Sequence, residues 1–165
     1  MKKLKYLSIA VIALALQQSC NSIATGKDYS NKGKGYKEAY NSITVEDLKR
    51  DLYIVASDEM EGRDTGTPGL KKAGEYIISQ YKKYGVQYPK VLGSYYQPVP
   101  AEALKTRRGN LPASENILAY IEGSEKPEEL IVLSAHYDHV GMKNGEIYNG
   151  ADDDGSGSVA IIELA

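Results

Sequence analysis

Apolar positions recur with a helical period in two early stretches. Between Ile43 and Ser57, the residues Val45, Leu48, Leu52 and Val55 share one face. Thr44-x-x-Asp47 resembles a capping box, and Ile43 and Leu48 occupy staple positions, so the pattern predicts an amphipathic helix. A second helix is bracketed by Thr67 as N-cap, Pro68 at the first helical position and Gly85 just past the end; Ala73, Ile77, Tyr81 and Tyr84 form its apolar face. Ser57 to Gly69 between them is polar and punctuated by glycine, which predicts a loop. Glu61 and Arg63 in that loop are read as a local ion pair, the alternative being a reach toward a substrate or metal.

Further along, the period shortens. Gln87 to Gln97 and Asn116 to Ile121 read as strands, separated by a loop that Pro98, Pro100 and Pro112 punctuate and that carries a solvated basic pair, Arg107 and Arg108. After a polar turn from Glu122 to Glu129, Leu130 to Ala135 shows no polar alternation, as expected of a strand buried on both faces in a parallel or mixed sheet. Val159, Ile161, Ile162 and Leu164 make the last segment too apolar for a surface helix, beginning near Ser156 or Gly157. Helices followed by a buried strand argue for an α/β layered fold with a mixed, largely parallel sheet flanked by helices.

The N-terminus follows another logic. Lys2, Lys3 and Lys5 precede an apolar run from Tyr6 to Leu16 and then Cys20, the layout of a secretory signal and too short to span a bilayer. The cysteine after that run resembles a bacterial lipoprotein signal, although Gln17 stands where an aliphatic residue is usual; ordinary cleavage to a soluble product is the alternative. The expectation is an exported protein of the periplasm or cell envelope, touching the membrane only through a lipid anchor at Cys20. Residues 1–20 are thus assigned to the signal, the Lys-, Gly-, Ser- and Asn-rich residues 21–41 to a flexible tether, and 42–165 to the N-terminal portion of one domain.

Charge and composition exclude more than they assign. The net charge is -2; without the three leader lysines, basic residues fall from 20 to 17 against 22 acidic ones, giving -5, which does not fit a nucleic-acid binder. Cys20 is the only cysteine, so an internal disulfide is excluded. With 14 tyrosines and no phenylalanine or tryptophan, most large rings carry a hydroxyl that needs a partner when buried.

Candidate chemistry gathers where a strand should end. His136 follows Ala135 directly, and Asp138 two residues on projects to the same side of an extended backbone, where it can hold the imidazole nitrogen that faces away from a metal. Asp152, Asp153 and Asp154 follow between Gly150, Gly155 and Gly157; three adjacent carboxylates are favourable around a divalent cation, and one of them can bridge two.

These segments, SAHYDHVG and NGADDDGSGSVAIIELA, with SDEMEGRDTGTPGLKKAGEYI and YYQPVP upstream, resemble the bacterial leucyl-aminopeptidase type of di-zinc exopeptidase, peptidase family M28. The resemblance runs from about Val45 to Ala165. It implies a zinc-dependent aminopeptidase acting on peptides through metal-activated water, with two zinc ions, His136 binding one of them, Asp153 bridging both and Asp138 orienting His136. It also implies a glutamate pair, a further acidic ligand and a final histidine, none of which lies in these 165 residues, so the expectation is an incomplete site, a truncated domain, and marginal folding with the Val159–Leu164 face unpartnered. Carboxypeptidase and glutaminyl cyclase activities belong to related proteins and stay open, as does oligomeric state.

Two other readings compete. Asp152, Asp154, Ser156, Gly157 and Glu163 fit the spacing of an EF-hand calcium loop, though MKNGEIYNGA before it lacks helical character. The inert reading makes His136 and Asp138 a satisfied pair and the aspartates a solvated helix cap. His139 is read as a core or loop histidine.

Overall fold

The computed structural model describes residues 34–106 and 109–165. The leader with Cys20, most of the expected tether, and Arg107 and Arg108 lie outside the described residues. Two units are distinguished, the second beginning at Ile43. In the first, α1 (Lys34–Ser42) is helical, although its composition had suggested a tether.

The second unit opens with the two helices expected. In α2 (Val45–Val55) the Thr44 hydroxyl accepts from the Asp47 amide at 3.0 Å, so the cap forms as the sequence indicates. Its inner face differs from expectation in one respect: Asp51 is fully buried beside Val55, while Val45 is 61% exposed. Arg50 Nε at 2.6 Å and the Tyr76 hydroxyl at 2.8 Å both donate to Asp51 Oδ1, which is how a carboxylate is tolerated there. A short 3-10 segment (Asp58–Arg63) leads to α3 (Pro68–Tyr84), capped by Thr67 and closed by Gly85 at φ 77°, a left-handed conformation that favours glycine. Ala73, Ile77 and Tyr81 are buried as predicted; Tyr84 is 40% exposed.

All strand pairing among the described residues is antiparallel and two-stranded: β1 (Tyr96–Val99) with β4 (Ser114–Ile117), β2 (Lys105–Thr106) with β3 (Gly109–Asn110), and β5 (Met142–Lys143) with β6 (Glu146–Ile147). Pro98 falls inside β1, where an edge position spares it the missing N–H. The two strands expected near 87–97 and 116–121 are therefore shorter, their outer parts joined by the Tyr120-to-Gln87 backbone bond of 2.7 Å. The largely parallel sheet is not present among the described residues. Leu130, Ile131, Val132 and Leu133 belong to no strand and are 59–87% exposed, so the strand expected there to be buried on both faces is not formed among the described residues, which supply neither strands beside it nor layers over it.

The core contains Ile77, Ile78 and Tyr81 of α3, Val86, Tyr95, and Ile162 of α4 (Ser156–Leu164), with Ile117 and Tyr137 packed against it. Val159 at 1% and Ile162 at 0% exposure correct the expectation that this helix face lacks a partner, and burying each such side chain is worth roughly 1.5–3 kcal/mol. Leu164 alone of the predicted set is strongly exposed, at 59%. Two tyrosines of the core meet their polar obligation: Tyr95 donates to the Val86 carbonyl at 2.6 Å and Tyr137 to that of Glu115 at 2.9 Å.

Candidate metal centre

Three segments meet at the site. Residues 134–141 bring His136 and Asp138, the turn Ala151–Gly155 brings Asp153 and Asp154, and the loop before α3 brings Arg63 and Thr65. Tyr137 anchors the first by packing in the core, which leaves its neighbours His136 and Asp138 facing outward.

His136 Nε2 lies 3.0 Å from Asp153 Oδ1. Its other nitrogen, Nδ1, is 3.0 Å from the Asp138 carbonyl and 3.4 Å from the Asp138 carboxylate. With the proton on Nδ1, the ring donates to Asp138 and leaves the Nε2 lone pair directed at Asp153, the arrangement that a metal-ligating histidine adopts. Thr65 Oγ1 in turn donates to Asp138 Oδ2 at 3.1 Å, fixing the carboxylate from behind.

The neighbouring aspartates have distinct tasks. Asp154 Oδ2 accepts from the His136 amide at 3.3 Å and Oδ1 from the Gly157 amide at 3.1 Å, so this carboxylate joins the His136 segment to the first turn of α4. Ser158 Oγ adds a second tie by donating to the His136 carbonyl at 3.1 Å. Asp152 is solvent-exposed and its carbonyl accepts from Ser156 Oγ. Only Asp153 of the three faces the imidazole. His139, which the sequence placed in a core or loop, is mostly buried, with Nδ1 at 3.8 Å from Asp153 Oδ2.

Burial pulls the His136 pKa down, but the bond to the Asp138 carbonyl and the charges of Asp138, Asp154 and Asp153 outweigh it and leave it raised. The same negative field that favours a proton favours a divalent cation. Donor geometry supports the fit: two ligands of one tetrahedral ion at about 2.0–2.1 Å stand about 3.3 Å apart, close to the 3.0 Å found here. Among the described residues no group of three or more His, Cys, Asp or Glu side chains is placed to hold a metal, so His136 and Asp153 by themselves do not complete a site.

Residues 116–165 match the model of Peptidase family M28. That span begins in β4 and includes every residue of the candidate centre except Arg63 and Thr65. Among curated proteins, the chain is 31% identical over 111 residues to a "probable zinc metalloprotease" of Leptosphaeria maculans, an alignment covering 62% of this chain and 24% of that protein. Proteins of the same description from Pyrenophora teres f. teres and Pyrenophora tritici-repentis are each 30% identical over 113 residues, 62% of this chain and 22% of theirs. The chain thus spans about a quarter of the length of these relatives. No solved structure gives a significant match.

The loop residues Glu61 and Arg63 part company. The expected Glu61–Arg63 ion pair does not form: Glu61 Oε1 pairs instead with Lys72 Nζ of α3 at 3.3 Å on the surface. Arg63 is fully buried and bonds to backbone carbonyls instead, a role the expected ion pair missed. Thr65 and Ser158 were also missed, and neither carried a signal. The sequence singles out Asp154 with its neighbours as a cation ligand or helix cap, and it is the cap that its bond from the Gly157 amide shows. In the calcium reading, Glu163 would be the bidentate ligand; it approaches Arg50 Nη2 at 3.8 Å, and a β-hairpin rather than a helix precedes the aspartates.

Proposed function

We propose that this chain carries the first part of a zinc-dependent exopeptidase, an aminopeptidase that removes N-terminal residues from peptides. The observation that carries the reading is His136 Nε2 at 3.0 Å from Asp153 Oδ1 with Asp138 behind the ring, inside the stretch that matches the M28 model. The names of the relatives support zinc as the metal. In this reading His136 binds one of two zinc ions, Asp153 bridges both, and Asp138 orients His136 and holds its Nδ1 proton. Bound zinc supplies Lewis-acid polarisation of the scissile carbonyl and activation of the attacking water. A catalytic zinc site has three protein ligands, so further donors beyond His136 and Asp153 complete it.

Two structural expectations belong with this reading. Leu130–Ala135 is proposed as an inner strand of a largely parallel sheet, since its apolar residues run without polar alternation and Leu130 to Leu133 are uncovered. Export and a lipid anchor at Cys20 are proposed from the leader's pattern; a Cys20→Ser variant that still fractionates with membranes counts against the anchor.

Zinc titration of the chain and of a His136→Ala, Asp153→Ala double variant tests the site, and equal affinity of the two excludes it. Specificity is read from the full-length protein: release of aminoacyl-nitroanilides supports aminopeptidase activity, whereas C-terminal trimming or glutamine cyclisation reassigns it.

A further inference from the structure

Arg63 has no part in the proposed ligand set, yet it is fully buried, and among the described residues no carboxylate lies within ion-pair distance of it. A buried guanidinium is costly unless its N–H groups find acceptors. Here they find four carbonyls from three separate segments. Nε donates to Tyr137 at 2.7 Å, Nη1 to Val55 at 2.6 Å and to Asn149 at 2.7 Å, and Nη2 to Gly150 at 2.8 Å. Its own carbonyl accepts from the His139 amide at 2.9 Å.

The placement of these acceptors is informative. Tyr137 sits between His136 and Asp138, and Gly150 immediately precedes the turn that carries Asp153. One rigid planar cation therefore spans the two loops whose side chains converge at 3.0 Å. Resting on the zinc-site reading above, we infer that Arg63 is a positioning residue: its guanidinium sets the separation of His136 and Asp153 by clamping their two loops through backbone carbonyls, without touching metal or substrate. Its backbone at φ 53° is left-handed, a conformation uncommon for a side chain of this size. The preceding Gly62 locks the same loop, its carbonyl accepting from the Gly141 amide at 2.9 Å.

Arg63→Lys keeps the charge but replaces the fork by a point donor that cannot reach both loops. The test measures zinc affinity by calorimetry and the cobalt-substituted absorption spectrum of the full chain and of Arg63→Lys, at a temperature where circular dichroism shows both folded. The clamp predicts a loss of about 10–100-fold in zinc affinity with an altered cobalt spectrum, as when outer-shell partners of ligands are removed. Unchanged affinity in a folded but less stable variant overturns it and leaves Arg63 a purely structural residue. Zinc affinity of the parent chain that is no higher than that of the His136→Ala, Asp153→Ala double variant overturns the zinc reading and this inference together, whereas affinity lowered in the double variant but not in Arg63→Lys overturns the clamp alone. If Arg63→Lys does not fold, hydrogen exchange of the parent with and without zinc decides. The His139 and Gly155 amides, one on each clamped loop, slow by a similar factor if the clamp couples them, and a response of Gly155 alone overturns it.

Discussion

Thr65 Oγ1 donates to Asp138 Oδ2 at 3.1 Å, and Asp138 in turn faces His136 Nδ1, so a hydroxyl 71 positions before His136 fixes the orientation of the candidate ligand. Removing that hydroxyl tests the chain of contacts. Thr65→Val keeps the branched shape, and zinc affinity by calorimetry is expected to fall about tenfold while the melting temperature changes little. Unaltered affinity would mean that Asp138 needs no support.

Gly62 adopts φ 67°, and a Cβ there would stand 2.5 Å from the Gly141 carbonyl oxygen and 2.7 Å from that of Tyr148. Both the left-handed backbone and the contact oppose a side chain. Gly62→Ala is expected to destabilise the fold by more than about 1–2 kcal/mol in urea titration, and a neutral result would show that this loop relaxes freely.

Glu163 is held above its ordinary pKa, first by burial and then by the charges of Asp47 and Asp51, with Arg50 opposing. The folded state therefore keeps this proton longer than the unfolded chain does. Stability from this group is fully present below the unfolded value of about 4.5 and is lost as pH rises through the higher folded value. Glu163→Gln should raise the melting temperature at pH 7 by about 2 °C and give little change at pH 4. Equal shifts at both pH values would contradict that assignment.

Leu130–Ala135 has no strand beside it among the described residues. Amide exchange at these positions is expected to be fast, as measured by exchange mass spectrometry. Slow exchange would show that the segment is covered by a partner the described residues do not provide.

Local chemistry made much of this protein legible in advance. Thr44, Thr67, Pro68 and Gly85 set the bounds of α2 and α3 because caps act within a few residues, and the apolar period chose the faces that Ile77 and Tyr81 bury. The i, i+2 relation of His136 and Asp138 was readable for the same reason, since an extended backbone puts both on one side. What the sequence could not supply was anything depending on distant backbone. Asp51 is buried because Arg50 and Tyr76 meet it, Arg63 because carbonyls 8 to 87 positions away converge on its guanidinium, and Asp153 rather than its neighbours faces His136 because Asp154 is engaged by two amides. Sequence determined the residue types a candidate metal site draws on and the helices beside it. Tertiary structure decided which of those residues meet, because hydrogen bonds to backbone carbonyls and amides carry no side-chain signature at the accepting position.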